Sequence, residues 1–97
     1  MLRASAPGRH KAAAEGRRQH KAFADKVKKK QGWTSEKKVT NAKTGESARP
    51  DARTPGGNPI ELKPNTPSGR RKGAEQRKTQ ERVTEKRGRV VYYEPKP

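Results

Sequence analysis

RPDARTPGGNPIELK, residues 49–63, is the stretch of sequence that decides the fold. It contains two short extended segments, near 49–54 and at 59–63, separated by the turn sequence Pro-Gly-Gly-Asn at 55–58. Proline and glycine at these places end both extended segments and favour a tight reversal of the chain. The sequence therefore predicts a β-hairpin here, and this is its clearest hairpin signal.

Side chains alternate along the second strand of this hairpin. Alternation puts Glu61 and Lys63 on one face, while the aliphatic residues beside them point to the other face, toward a core. If residues 55–57 form a three-residue loop, Asp51 lies directly opposite Glu61, with Cβ atoms about 5.5 Å apart. A loop one residue longer would misalign the two carboxylates.

Two carboxylates that converge in this way suit a hard divalent cation. Mg²⁺, or Mn²⁺ in its place, takes one or two protein carboxylates and completes its shell with water and substrate phosphate. A lysine beside it can orient or help deprotonate an attacking water, or stabilise charge on the phosphate. Asp51 and Glu61 are therefore candidate metal ligands, and Lys63 is a candidate catalytic residue. Alternatively, Asp51 is a turn residue and Glu61 and Lys63 form a solvated pair, which a Glu-x-Lys string alone would favour.

Charge and composition limit the partners. The 97 residues include 26 Lys plus Arg against 10 Asp plus Glu, which gives a formal net charge of +16. Nucleic acid fits this excess best, because regularly spaced phosphates let many basic side chains release counterions together. The absence of cysteine excludes disulfides and thiolate metal sites. No segment is apolar enough to cross a bilayer or to act as a secretory signal, so no membrane partner is expected.

The small number of apolar residues is a second limit. Leu, Ile, Val and Phe make up nine of the 97 residues, a composition typical of disordered chains. It supports an alternative function of another class, a non-catalytic basic protein that becomes ordered on DNA or RNA or within a ribonucleoprotein. If the chain folds alone, we expect its stability to be marginal.

Local signals on both sides of the hairpin predict the remaining elements. A basic, flexible N-terminal arm is expected over residues 1–16, and a folded domain over residues 17–97. The last strand is apolar on both faces, which indicates a sheet with helices around it. The fold class is therefore α/β (α+β), with the element order αβββαβ. The predicted elements are a helix at 17–30, strands at 33–39, 49–54 and 59–63, a turn at 41–45, a helix at 70–86 capped by Thr66 or Ser68, and a strand at 89–93. The alanines at 12–14 either extend the first helix or fray from it.

The two predicted helices differ in their buried faces. The first has a narrow apolar stripe that includes Phe23 and Val27. The second is poor in apolar residues, so its buried face should consist of Ala74 and Val83, with Gly73 against a neighbouring element and long polar stems around them.

Several segments together resemble a known family. The string PIELKPNTPSG at residues 59–69 is similar to the signature of restriction-endonuclease-like, or PD-(D/E)XK, toxin domains that form the C-termini of polymorphic secreted toxins. The resemblance covers about residues 17–95. Its further landmarks are His20-Lys21, Gly32-Trp33, Glu36, Pro50-Asp51, Gly73, Gln76 and the segment 88–95.

This resemblance implies a small αβββαβ nuclease fold and metal-dependent endonucleolytic cleavage of DNA or RNA. By position, it implies that Asp51 and Glu61 hold the metal and that Lys63 is the catalytic lysine. Gln76 resembles the catalytic glutamine of a Gln-xxx-Tyr motif, although the tyrosine position is Gln80 here. The resemblance further implies a secreted antibacterial effector that acts in the cytoplasm of a target cell and an acidic immunity protein that covers the active site. It leaves a homodimer open, since many nucleases of this fold pair to cut two strands.

Basic side chains on both helices are candidate contacts to nucleic acid. They cluster at the end of the first helix and the start of the second, with too few acidic residues to neutralise them. His20 lies on the apolar stripe of the first helix and either contacts the substrate or packs as a structural histidine. The candidate nucleic-acid-binding residues are His20, Lys28, Lys29, Lys30, Arg70, Arg71, Lys72, Arg77 and Lys78.

Three other residues have two interpretations each. Glu15 and Glu36 are candidates for an additional metal ligand, Glu36 being the better one, with a salt bridge to nearby lysines as the alternative. Trp33 either stacks on a base or belongs to the core.

A third function is also open, an inactive adaptor with the nuclease fold whose acidic pair binds no metal.

Overall fold

The computed structural model describes residues 7–95 of the chain, with side chains from Ala12 onward. This part of the chain contains the predicted αβββαβ core together with an additional short hairpin. None of its helices has the length and apolar character needed to cross a membrane. In chain order the elements are α1 (Pro7–Lys28), β1 (Thr34–Ser35), β2 (Val39–Thr40), β3 (Ser47–Ala48), β4 (Ala52–Arg53), β5 (Pro59–Pro64), α2 (Pro67–Thr84) and β6 (Arg89–Tyr93).

The main sheet has four strands in the order β1-β4-β5-β6. The pairs β1–β4 and β4–β5 are antiparallel, whereas β5 and β6 are parallel. Parallel neighbours need a crossover connection, and α2 supplies it while packing on both strands. The strands β2 and β3 form a separate antiparallel pair that packs against α2.

The first helix begins earlier than predicted. It starts at Pro7 and continues through Gly16, so the predicted start at Arg17 is too late and the helix crosses the boundary predicted between arm and domain. A Cβ atom at Gly16 would lie 3.4 Å from the hydroxyl of Tyr93, which is an ordinary contact distance, so Gly16 of α1 lies directly beside β6. Residues 1–6 of the predicted arm lie outside the described residues.

The apolar core lies between α1 and the sheet. Trp33 packs against it, as one of its two interpretations expects, and Lys30 Nζ lies 4.5 Å from the centroid of the indole ring. Alternation places the apolar residues of β5 on this side and the charged residues of β5 on the other, toward α2. The buried cluster consists of Val27, Ala52 and Ile60, with Phe23, Trp33 and Val91 packed against it.

The second helix packs on the sheet through small and polar residues. Thr66 caps it, since its hydroxyl accepts a hydrogen bond from the backbone N–H of Gly69. A Cβ atom at Gly73 would lie 3.0 Å from Val90 Cγ1, so glycine allows the close approach to β6. Ala74, which was expected on the buried face, is exposed. The buried residues of α2 are Gly69, Gly73, Gln80 and Val83.

The β2–β3 hairpin is fixed to the C-terminal end of α2. Asn41 Nδ2 donates to the backbone carbonyls of Arg82 and Val83 at 3.2 and 3.1 Å, and its Oδ1 accepts two backbone N–H groups of the following turn. Arg82 also forms a two-point ion pair with Glu46, at 2.9 and 2.6 Å. The turn at 41–45 is thus confirmed, but the single strand predicted at 33–39 is wrong, because β1 and β2 belong to different sheets.

Candidate active site

The β4–β5 hairpin places Asp51 opposite Glu61. Ala52 pairs with Ile60, and the same register continued by one residue pairs the two acids. The residues on either side of loop 55–57 are joined by a 3.0 Å backbone hydrogen bond from Thr54 to Asn58, so the loop has three residues. Both the register and the loop length are therefore as the sequence predicts.

Asp51 follows β3 and directly precedes β4, and its side chain is held from two directions. Its Oδ2 accepts a hydrogen bond of 2.7 Å from the backbone N–H of Leu62 on β5. The same oxygen lies 3.4 Å from Nε2 of His20 on α1. His20 Nδ1 is 2.9 Å from the carbonyl oxygen of Gly16, which can only accept, so Nδ1 carries a proton. The ring thus presents Nε2 to Asp51 and forms an ion pair with it when Nε2 is also protonated.

Glu61 lies on β5 under α2 and is only 7% exposed. Its Oε1 accepts a 2.7 Å hydrogen bond from the side-chain amide of Gln80, and its Oε2 lies 3.6 Å from Lys63 Nζ. Burial raises the pKa of Glu61 and the charge of Asp51 raises it further, while the Gln80 hydrogen bond and the charge of Lys63 act in the opposite direction. A buried carboxylate beside a second carboxylate is a setting in which a bound cation is electrostatically favourable.

Gln80 is a site residue that the sequence interpretation missed. It was considered only as the position where a related motif has tyrosine. In the structure its side chain is buried and holds the carboxylate of Glu61. The signal was present, because Gln80 shares the helical spacing of Gly73 and Val83 and a buried polar residue on such a face needs a partner.

Gln76 lies one turn before Gln80 on α2 and is exposed. It lines a cleft between α2 and the β2–β3 hairpin that also includes Glu61, Gln80 and Arg49. Within residues 12–95 its side chain forms no hydrogen bond. The structure therefore brings Gln76 to the cleft that contains Glu61, but not into a hydrogen bond with it.

The other candidate acids lie apart from the carboxylate pair. Glu15 is buried on α1, where its carboxylate accepts hydrogen bonds from Arg18 and Gln19. Glu36 is exposed, and only its backbone approaches the site, through a 3.2 Å hydrogen bond from its N–H to the carbonyl of Asp51. Neither side chain is placed beside Asp51 and Glu61 in the way a further ligand would require.

The predicted basic contacts are at the surface. Arg70 donates to Asn65 Oδ1 at 2.8 Å, and Lys30 lies over Trp33. His20 differs from the rest, since it is half-buried against Asp51. The exposed residues, which form no ion pair within the described part of the chain, are Lys28, Lys29, Lys30, Arg70, Arg71, Lys72, Arg77 and Lys78.

The donor atoms available fit a hard cation whose coordination shell is completed by water and by phosphate oxygens. Asp51 Oδ1 forms no hydrogen bond to any residue that the structure describes, and Glu61 Oε2 faces Lys63 at 3.6 Å. Residues 7–95 contain no group of three or more His, Cys, Asp or Glu side chains arranged to hold a metal. The protein therefore offers two carboxylates and no complete cage, which is the usual way that Mg²⁺ is held beside a substrate phosphate.

Comparison with known proteins agrees with this architecture. Residues 8–91 match the family model of restriction endonuclease fold toxin 9. No curated protein and no solved structure matches the chain. The matched range includes α1 from Gly8 onward, the hairpin with Asp51 and Glu61, and α2 with Gln80. The chain therefore belongs to the restriction endonuclease fold toxin family, which makes it, in general terms, a nuclease toxin.

Proposed function

We propose that the chain is a metal-dependent endonuclease domain of a toxin, which hydrolyses phosphodiester bonds in DNA or RNA at Asp51, Glu61 and Lys63. Family membership supports a nuclease toxin in general. The observation that supports the specific site is the hairpin register, in which the position next to the Ala52–Ile60 pair brings Asp51 to Glu61, while Lys63 Nζ lies 3.6 Å from Glu61 Oε2. The raised pKa of Glu61 agrees with a site suited to a cation.

In this proposal Asp51 and Glu61 hold Mg²⁺ or Mn²⁺. Such a cation, when bound, stabilises negative charge on the phosphate and increases the acidity of water. The Leu62 N–H fixes one oxygen of Asp51 and leaves the other available. Gln80 fixes Oε1 of Glu61, so that Oε2 stays on the side of Lys63. Both carboxylates are thus oriented before substrate binds.

Lys63 is the group best placed to act on the substrate. It lies two residues after Glu61 on the same strand face, and its side chain is 18% exposed, so the ammonium is shielded but still reaches solvent. There it can hydrogen-bond to a non-bridging phosphate oxygen or orient the attacking water. We propose that His20 orients Asp51 from the opposite side and adds positive charge near the phosphate when it is protonated.

The basic surface accounts for substrate binding in this proposal. The exposed residues Lys28 to Lys30 and Arg70 to Lys72 have no acidic partners among the described residues, so they are available for phosphates. With a net charge of +16, affinity should fall steeply as salt rises. Contacts of this kind do not distinguish bases, so we expect cleavage with little sequence preference.

The same charge supports an acidic partner. We propose, from the family and the net charge of +16, that a cognate acidic immunity protein covers the active site. Delivery to the cytoplasm of a target cell, and pairing into a homodimer for cutting two strands, are part of this proposal as expectations from the family. Size-exclusion chromatography with light scattering tests the dimer.

Cleavage assays test the proposal directly. The purified chain is incubated with plasmid DNA and with total RNA, in Mg²⁺ or in EDTA, beside the variant Glu61→Ala. Glu75→Ala is the matched control, because Glu75 is an exposed carboxylate on α2. We expect cleavage by the wild type and the control in Mg²⁺, and none in EDTA or with Glu61→Ala. Degradation that survives Glu61→Ala would remove the active-site assignment, and binding without cleavage would favour the non-catalytic alternatives.

A further inference from the structure

The cleft between α2 and the β2–β3 hairpin has a defined composition. Its lining includes Arg49, which follows β3, Gln76 and Gln80 on α2, and Glu61 on β5. The cleft is therefore open to solvent on the side of the sheet where the charged residues of β5 face α2, next to the proposed catalytic residues.

Most polar groups of this cleft already have partners in the protein. The hydroxyl of Ser47 is 2.7 Å from that of Thr40, and the hydroxyl of Thr79 donates to the carbonyl of Glu75. Gln80 donates to Glu61. The side chains of Arg49 and Gln76, by contrast, form neither a hydrogen bond nor an ion pair with any described residue, and both are exposed. Among the residues that line this cleft, these two are the groups left for a ligand.

The backbone that carries Arg49 is held in place on both sides. Pro50, the next residue, is one of the two largest fully buried side chains, and Asp51 after it is anchored to β5. The preceding hairpin is fixed to α2 by Asn41 and by the ion pair between Arg82 and Glu46. The guanidinium therefore extends from a fixed position and loses less conformational freedom on binding a ligand than a side chain on a mobile loop would lose.

Arg49 forms no ion pair with any residue that the structure describes. An arginine presents a planar fork of N–H donors that matches the oxygens of a phosphate. An exposed arginine that has no partner among the described residues and lines a cleft containing Glu61 is suited to bind a phosphate.

We propose that this cleft is a subsite for the substrate strand, in which Arg49 binds a phosphate adjacent to the one that is cleaved and Gln76 hydrogen-bonds to the same nucleotide. This inference rests on the proposed function and assigns binding residues to the same site. Arg49 contributes to binding the strand, and the carboxylate pair and Lys63 carry out hydrolysis.

Binding measured without hydrolysis tests this subsite. Fluorescence anisotropy with a labelled single-stranded oligonucleotide, in EDTA and at several salt concentrations, compares the wild type with Arg49→Ala and Arg49→Lys. Arg87→Ala is the matched control, because it removes the same charge at an exposed residue that does not line the cleft. We expect Arg49→Ala to weaken binding by about tenfold and to reduce the slope of log K against log salt by about 0.7. Arg49→Lys should restore part of the affinity, and Arg87→Ala should change it less.

Under the proposed metal dependence EDTA prevents hydrolysis in every sample, so the anisotropy reports binding and not cleavage. An Arg49→Ala variant with an unchanged circular-dichroism spectrum that binds as tightly as Arg87→Ala, or that keeps the wild-type salt slope, would overturn the subsite. With active protein, Arg49→Ala should raise KM more than it lowers kcat. If cleavage survives Glu61→Ala while the effect of Arg49→Ala on binding remains, the proposed catalytic site fails and the phosphate subsite stands.

Discussion

The hydrogen bond from Gln80 to Glu61 offers a test of how the buried carboxylate is held. Gln80→Met keeps the length of the side chain and removes a donor that lies 2.7 Å from Oε1. Gln80 is 6% exposed and Glu61 is 7% exposed, so water cannot readily replace the lost donor. A hydrogen bond to a charged group contributes about 1.5–3 kcal/mol. We therefore expect the free energy of unfolding at neutral pH to fall by about 2 kcal/mol, a large part of the total for a domain of this size.

The loss should be smaller in acid. Burial raises the pKa of Glu61 above its ordinary value of 4.5, so the folded protein keeps this proton to a higher pH than the unfolded chain. Stability from this group is consequently lost as pH rises from about 4.5 through the folded pKa. The Gln80 hydrogen bond lowers that pKa, and removing it raises the pKa further. As pH rises through this range, the free energy of unfolding therefore falls more in the variant than in the wild type. Below this pH range the free energies of unfolding of the two proteins converge.

Urea denaturation followed by circular dichroism, at about pH 4 and about pH 7, measures both effects. Gln76→Met is the matched control, because it makes the same substitution one turn away at an exposed position, where a change within about 0.5 kcal/mol is expected. A Gln80→Met loss that is equal at the two pH values, or no larger than that of Gln76→Met, would refute the role given to this hydrogen bond.

Three further predictions concern the hairpin, the close approach of α2 and the carboxylate pair. Asn41→Ala removes the side-chain bonds that join the β2–β3 hairpin to α2, and urea denaturation should show a loss of about 2 kcal/mol; a loss below about 0.5 kcal/mol would contradict this anchoring. Gly69→Ala puts a Cβ atom onto the carbonyl oxygen of Pro64, so thermal unfolding should show a loss of more than about 2 kcal/mol, and an unchanged melting temperature would count against the packing. Because the pKa of Glu61 is raised, protons should compete with a bound cation at this carboxylate. On acidification, the Mn²⁺ affinity measured by titration calorimetry should therefore begin to fall at a pH above 4.5, and a constant affinity down to that pH would contradict this competition.

The hairpin of the site could be predicted because its signals are local. Proline and glycine mark the loop at 55–57, and strand alternation assigns a face to Glu61 and Lys63. A three-residue loop then fixes the register, in which Ala52 pairs with Ile60 and the next position along brings Asp51 to Glu61. The order of helices and strands in the core followed from the same kind of local pattern.

Features that depend on distant partners could not be predicted. The β2–β3 hairpin has little apolar character, and it is positioned by Asn41 and Glu46, whose partners on α2 are about forty residues away. Gly16 weakens a helix by its conformational freedom, yet it lies within α1 beside Tyr93, a neighbour that only the fold reveals. These contacts leave no trace in local periodicity.

The low number of aliphatic residues predicts disorder because it takes account of aliphatic packing alone and leaves out packing through glycine and through buried polar side chains. In the structure α2 packs through Gly69 and Gly73, which allow close approach, and through the buried hydrogen bond of Gln80. Hydrophobicity alone predicts Ala74 on the buried face, yet the helical register turns it to solvent. Helical spacing from Gly73 to Val83 would have been a better guide than hydrophobicity.

Titration calorimetry with Mn²⁺ at neutral pH, on the wild type and on the variants Asp51→Asn and Glu61→Gln, most directly tests whether the two facing carboxylates form one cation site. Both substitutions keep the shape of the side chain and remove one charge. We expect a single binding event in the wild type that each variant weakens by more than about tenfold. Wild-type affinity in either variant, or no heat with any of the three proteins, would contradict a shared site at Asp51 and Glu61.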